Sequence, residues 1–290
     1  MGAHTEADLN QDDRRERLAL TALSAPAILL VTVVLLLPVG WLFWLSFSGP
    51  EGLTAVNYMR LYENVAYLKI FQTTFVLSLI VTVLAALLGY PLAYLLSQLP
   101  GRIAMVGLLV VLLPFWTSIL VRTYSWLVLL QRRGLINSLL QDLGITSGPL
   151  SLVYNSAGVV IGMLHIMLPF MVLPLYAAMK SVDPMLMRAA MSLGATRRHA
   201  FFTIFAPLTL PGLIAGSLLV FIYCLGFYIT PQILGGGRVN LVSMKILENA
   251  TVYSDWGAAS ALGVVLLAVT LVIFKIIQKI LPAERLMGRA

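Results

Sequence analysis

Six long apolar runs, separated by short polar segments, make up most of this chain. They cover residues 19–47, 71–97, 103–130, 156–180, 211–234 and 257–281. Each exceeds the ~20 residues that a helix needs to cross about 30 Å of hydrocarbon. No series of short strands alternates apolar with polar positions, so a β-barrel is not expected. Helices remain as the way to satisfy backbone N–H and C=O groups in lipid. The pattern predicts an all-α membrane protein with six transmembrane helices. An N-terminal tail (1–18) precedes the first helix (19–47). A core (71–281) holds the other five helices and a polar loop (181–210), and a short tail (282–290) follows.

The loop has a readable local grammar. Asp183 followed by Pro184 is an N-cap with proline in the first turn. A helix is expected through Met185–Leu193, stopped by Gly194, which takes positive φ at little cost. Thr196 can cap a second short helix, Pro207 is expected to close it, and Pro211 to open the fifth span. Prolines 26, 38, 114, 169 and 174 predict kinks inside the spans, which neighbouring helices tolerate in a bundle. The small pair Gly212 and Gly216 reads as a helix–helix packing face.

Composition agrees with lipid as the solvent. The chain is 60% hydrophobic and 11% charged, with mean hydropathy +0.93; soluble domains carry about a quarter charged residues. The net charge of +7 reads as topology rather than nucleic-acid binding. Arg14, Arg15, Arg17, Arg102, Lys180, Arg188, Arg197, Arg198, Lys275, Lys279, Arg285 and Arg289 fall on one side of the predicted bilayer. Arg60, Lys69, Arg122, Arg132, Arg133, Arg238 and Lys245 fall on the other. The positive-inside rule then makes both termini and loop 181–210 cytoplasmic in a multi-pass membrane protein. The first apolar run is too long for a signal peptide and lacks a small-x-small cleavage site, so it is expected to stay as a span.

Several chemistries are absent from the sequence. No lysine follows a P-loop glycine, and there is no H-E-x-x-H, no G-x-S-x-G and no pair of carboxylates. The spans hold no series of acids for proton or sodium coupling. Cys224 is alone in an apolar run, which excludes a disulfide framework. His165 is alone in another and reads as a packed or hydrogen-bonding residue rather than a metal ligand. The chain is expected to be no enzyme, with no metal site and no cofactor of its own.

The segment 188–207, RAAMSLGATRRHAFFTIFAP, carries a fixed spacing. Ala189 and Ala190 are followed by three residues, Gly194, nine residues, Ile204, Phe205, Ala206 and Pro207. This resembles the EAA loop of ABC-importer permeases, E-A-A-x3-G-x9-I-x-L-P, and the similarity extends over about residues 70–280. Within that family the chain is most similar to the spermidine/putrescine subfamily. The stretches LPFWTSILVRTYSWLVLL (113–130), RGLINSLLQDLGI (133–145), GMLHIMLPFMVLPLYAAMKSVDP (162–184) and FYITPQILGGG (227–237) carry that likeness. The resemblance implies a type I importer permease fold. It makes Arg188, Ala189, Ala190, Gly194, Ile204 and Pro207 an ATPase-coupling segment that docks in a groove of the ATPase subunit. Two departures stand out: Arg188 replaces the usual glutamate, and Ser192 replaces an acid often found two places before the glycine. The docking face has lost acid and gained a base.

The resemblance also implies partners. These are a second permease subunit in a heterodimer, two copies of an ATPase that binds ATP and Mg, and a periplasmic solute-binding protein. A polyamine such as spermidine or putrescine is the expected solute. The alternatives are a small zwitterionic or anionic solute, such as a 4-aminobutyrate-like amino acid, or, in another class, a stand-alone secondary carrier or channel. Aromatic faces attract a cation with ~0.5–2 kcal/mol each. Trp116, Tyr124, Trp126, Tyr223, Phe227 and Tyr228 are therefore candidates for the solute pathway, although Trp and Tyr also gather at membrane interfaces. Arg122 is a further pathway candidate. It can pair with Asp142 or Asp255, or meet a solute carboxylate.

Overall fold

The computed structural model describes the backbone of residues 6–49 and 52–280 and most side chains from Ala22 onward. The predicted tail 282–290, with Arg285 and Arg289, lies outside the described residues, as do the first five residues of the predicted tail 1–18 and the side chains of Arg14, Arg15 and Arg17. The chain begins with a 41-residue helix α1 (Glu6–Ser46). A two-stranded ribbon, β1 (Ser48–Gly49) with β2 (Gly52–Leu53), and a short α2 (Val56–Glu63) follow. Next come α3 (Val65–Gln98), α4 (Gly101–Leu112), a 3-10 turn (Leu113–Trp116), α5 (Ile119–Leu130) and α6 (Leu135–Asp142). The second half holds α7 (Ser156–Ser181), α8 (Pro184–Ser192), α9 (Arg197–Ala200), a π turn (Phe201–Phe205) and α10 (Ala206–Leu225). It closes with α11 (Ile229–Gly235), α12 (Val242–Thr251) and α13 (Trp256–Ile280).

Among the described residues, five helices are long and apolar enough to cross a membrane, or six if one bent pair counts as a single span. Two of the predicted spans are corrected. The third, 103–130, is not one rod: it breaks after Trp116, and the pieces Gly101–Trp116 and Ile119–Asp142 meet at 97°. Pro114 lies in the 3-10 turn that ends the first piece, where it has no N–H to continue the ladder. The fifth is shifted toward the N-terminus and runs over Arg197–Leu225. It stops before Gly226, and α11 starts afresh at Ile229. Hydropathy merged these pieces because both sides of each break are apolar. By contrast, Pro26 and Pro38 lie inside α1, and Pro169 and Pro174 inside α7.

The core is the bundle of α3, α7 and α10. Hydrocarbon gives helices no hydrophobic reason to associate, so close packing must hold them. Met171 of α7 fills the space that side chains would occupy at Gly89 of α3 and Gly216 of α10. A Cβ on Gly89 would lie 2.8 Å from Met171 Cγ, and one on Gly216 2.9 Å from its sulfur. Gly212 meets Ala178 and the Pro174 carbonyl in the same way, so the Gly212/Gly216 pair packs within the chain. The hydroxyls of Tyr90 and Thr209 add a 2.9 Å hydrogen bond between α3 and α10.

Chain direction follows from end contacts. Lys180 Nζ, at the end of α7, donates to the Ser97 carbonyl at the end of α3 (3.5 Å). Phe205, just before α10, packs on Tyr94. Thus α3 and α7 are parallel and α10 is antiparallel to both. The other end gathers α2, the start of α3, α12 and the start of α13, where Thr74 accepts from the Val242 N–H at 3.0 Å. Helix α1 packs on α13 and leaves most of its apolar surface exposed for lipid.

This packing gives a stability test. Gly212→Leu places a branched chain against the Pro174 backbone and should cost about 1–3 kcal/mol, read as a lower unfolding temperature in detergent. Gly40→Ala, where an added Cβ meets nothing within 4 Å, should be neutral or stabilising by up to ~1 kcal/mol.

Candidate coupling knob and translocation face

The predicted docking loop forms a projecting knob. Asp183 Oδ1 accepts the Met185 N–H at 2.8 Å, with Pro184 in the first turn of α8. The helix closes as the N–H groups of Leu193 and Ala195 donate to the carbonyls of Ala189 and Ala190, each at 3.0 Å. Gly194 takes φ +90°, as its stopping role requires. Thr196 Oγ1 accepts the His199 N–H at 3.2 Å and starts the next helix. Arg188 and Ala189 are exposed and Ala190 is half-buried. Neither ion pair found among the described residues involves Arg188.

The second helix does not close at Pro207. It passes through the π turn at Phe201–Phe205 into α10, and Pro207 sits in the first turn of that helix. The π turn lies immediately before Pro207, whose ring offers no N–H to the Thr203 carbonyl within that turn. Ile204 and Pro207 therefore build the joint between knob and core, and Ile204 is half-buried there.

Two features of the knob were not anticipated from sequence. The first is an aromatic clamp. Phe201 and Phe205 each pack edge-on against Tyr94 of α3, with ring centres 5.3 Å apart in both pairs. They stack on each other at 5.5 Å. The second is an apolar rim at this basic end: Leu193 is 89% exposed, and Met185, Leu186 and Met191 are exposed beside it. Exposed apolar residues gathered in one place mark an interaction surface. The signal lay in MLMRAAMSL, where Met and Leu flank the small residues that drew attention.

The candidate pathway residues divide into groups. Tyr223 of α10 stacks on Phe170 of α7, with ring centres 4.6 Å apart, and Phe170 meets Phe115 edge-on at 5.0 Å. Trp126 Nε1 donates to His165 Nδ1 at 3.0 Å, which accounts for the lone histidine. Trp116, at the break, and Tyr124 are exposed. Arg122 is half-buried, with its Nε unpartnered. Of its two suggested acids, Asp255 is taken by Arg60 at 3.5 Å, and neither ion pair among the described residues joins Arg122 to Asp142. Phe227 is half-buried, and its carbonyl accepts from Ser243. Tyr228 lies beyond the Gly226 break and lines a polar cleft with Gln232, Asn240, Lys245 and Glu248. Tyr223 and Tyr228 thus belong to different elements, and Phe115 and Phe170, which join Tyr223, were not among the residues singled out from sequence. In that cleft the hydrogen bond from Lys245 holds the Glu248 carboxyl below the ordinary carboxylate range, against an opposing push from burial.

Residues 86–285 match the family described as binding-protein-dependent transport system inner membrane component. The chain belongs to that family. It is a non-catalytic, multi-pass inner-membrane component of an ABC importer. It is 36% identical over 222 residues to the spermidine/putrescine transport system permease protein PotB of Haemophilus influenzae, covering 76% of this chain and 77% of that protein. The PotB protein of Escherichia coli is 35% identical, covering 72% and 76%. The inner membrane ABC transporter permease protein YdcU of Escherichia coli is 32% identical, covering 73% and 69%. Among solved structures, a bacterial ABC transporter that imports the acidic polysaccharide alginate superposes with a TM-score of 0.69 over 94% of this chain and 97% of that one. At 20% identity this likeness speaks for the fold alone. The same holds for an alginate transporter in complex with an alginate pentasaccharide-bound periplasmic protein, at 19% identity and TM-score 0.70 over 93% and 96%.

If the clamp positions the knob, Phe205→Ala should loosen it without unfolding the bundle. The expected result is faster amide exchange across residues 184–200 and little change in α7.

Proposed function

We propose that this chain forms one half of the translocation pathway of an ATP-driven importer for a small cationic solute of the polyamine class. Membership in an ABC-importer family sets aside the stand-alone carrier or channel. The partners are a second, different permease chain, two copies of an ATPase that binds ATP and Mg, and a periplasmic solute-binding protein. The observation that carries the reading is the knob: exposed, capped at both helix starts, and clamped to the core by Phe201, Phe205 and Tyr94.

The knob end carries Arg102, Lys180, Arg188, Arg197 and Arg198, which supports a cytoplasmic position under the positive-inside rule. There the rim of Met185, Leu186, Met191 and Leu193 offers apolar contact to the ATPase, with methionine adapting to its shape. Arg188 adds a charge that an acid on the ATPase would meet. Movement of the ATPase pair would be passed through the clamp to α3 and α10, and so to the packed bundle.

Similarity to PotB supports the solute class. The clustered Phe115, Phe170 and Tyr223 rings offer π faces to an ammonium group. A second reading, a zwitterionic solute, has its own support in Arg122, whose Nε lacks a partner at a half-buried position.

Three measurements test this reading. A cysteine at position 198, from Arg198→Cys in a Cys224→Ala background, should be shielded from an impermeant thiol reagent added outside intact cells; ready labelling would reverse the orientation. Tyr223→Ala should slow putrescine uptake by about 2- to 30-fold, the range for one cation–π contact of ~0.5–2 kcal/mol, and equal loss in Phe274→Ala would assign the aromatics to anchoring instead. Gly194→Val meets no neighbour in this chain but must hold φ +90°, so membrane abundance should be normal. ATPase capture should weaken and solute-stimulated ATP hydrolysis should be lost, whereas full uptake would overturn the coupling assignment. Arg188→Glu is its companion: weaker capture is expected if the ATPase presents an acid.

A further inference from the structure

The end of the molecule opposite the knob holds two ion pairs and an unpartnered amide along one polar trench. Three adjoining clefts make up the trench, of about 400, 350 and 830 Å³. Lys245 borders the first and second; Asn57, Arg60, Tyr253 and Asp255 border the second and third. Lys245 Nζ donates to Glu248 Oε2 at 3.0 Å and lies 5.1 Å from the centre of the Tyr253 ring. Arg60 pairs with Asp255 Oδ2 at 3.5 Å. Both pairs are partly exposed. Such pairs are worth only about 0–1 kcal/mol and open readily to a competing charge.

Asn249 is what these pairs leave unexplained. It is 4% exposed and lines the middle cleft, and its amide Nδ2 is buried with no hydrogen-bond partner. A buried donor without an acceptor is costly, so an acceptor entering the cleft would relieve it. The neighbouring groups are also rich in donors: the Arg60 guanidinium, the Lys245 ammonium and the Tyr67 hydroxyl. The one carboxylate of this middle cleft, Asp255, is engaged twice, by Arg60 and by the Ala258 N–H at the start of α13. A donor-rich cavity of this kind takes an anionic oxygen. A bare anion would also face Asp255 and Glu248. A ligand that brings its own cation avoids that repulsion.

We propose that this trench binds a small amino carboxylate zwitterion. Its carboxylate lies in the middle cleft against Asn249, Arg60 and Lys245. Its ammonium takes the place of Lys245 on Glu248. The site is separate from the Phe115, Phe170 and Tyr223 cluster and adds a second class of ligand to the polyamine reading.

The test uses the full chain in lipid nanodiscs and radiolabelled 4-aminobutyrate. Putrescine, which has an ammonium group where the probe has a carboxylate, is the competitor. Asn249→Asp keeps the size of the side chain and removes its donors, and the Asn249 side chain makes no hydrogen bond to lose. An unchanged unfolding temperature shows that the variant is intact, and Arg60→Gln serves as the second variant. Both should weaken 4-aminobutyrate binding by tenfold or more, and putrescine should compete poorly. Absence of binding to the wild-type chain, equal competition by putrescine, or wild-type affinity in Asn249→Asp would overturn the proposal. Putrescine uptake through the aromatic route is a separate readout, so the two readings fail independently.

Discussion

Close backbone approach at three glycines holds this molecule together. In lipid, Leu and Val gain nothing by leaving hydrocarbon for a helix surface, so the α3, α7 and α10 bundle depends on contact distance. Gly89, Gly212 and Gly216 provide it, and Met171 occupies the space that two of them leave. An unbranched thioether suits that place, because it can follow an irregular gap between two helices. The peripheral parts depend on this contact. The knob hangs from α10 by a π turn and is clamped to α3, while the outer short helices α11 and α12 are tied back through Thr230, Thr123 and Thr74. A shift between α3 and α10 would therefore move both ends.

The two breaks in the spans serve the same geometry. After Trp116 the chain turns by 97°, and at Gly226 α10 ends before a separate short helix, α11, starts at Ile229. Non-helical backbone at membrane depth is tolerated only where protein covers it or water reaches it. Here α5 and α11 cover one another, joined by a buried 3.0 Å hydrogen bond between Thr123 and Thr230. Gly162 lets Leu234 and Thr230 approach α7 closely. Gly236 takes φ +53° with the Tyr154 ring against the place a side chain would fill. The glycine-rich 235–237 stretch is thus the seam where a short outer helix returns to the bundle.

Much of this was legible in the sequence, and each miss has a physical cause. Hydropathy located the apolar runs, and cap chemistry located α8: Asp183, Pro184, Gly194 and Thr196 act as their residue types suggest. Local bonding decides those features. Hydropathy could not find the bend after Trp116, where the nearby Pro114 did signal a kink, or the end of α10 at Gly226, since it averages over windows longer than a turn. Pro207 was misread as a stop because a proline early in a helix and one that ends a helix look alike without the packing around them. The aromatic clamp was hidden for another reason. Tyr94 and Phe205 are more than a hundred positions apart, and no spacing rule links them.

Charge is arranged differently at the two ends, and that difference bears on what each end can do. At the knob, Arg188, Arg197 and Arg198 stand exposed beside a rim of Met and Leu. Unpaired cations next to bare apolar surface are stable in water yet leave contact energy unused until a complementary surface arrives. At the trench, cations and carboxylates are already paired, Arg60 with Asp255 and Lys245 with Glu248. Paired charges at a wet surface are weakly held, so a small charged ligand can exchange with them without leaving a buried charge alone. The knob thus offers unpaired charge beside apolar surface, and the trench offers charges that are already paired. Between them runs a bundle whose three helices approach too closely to slide independently, which is the mechanical condition for one end to sense the other.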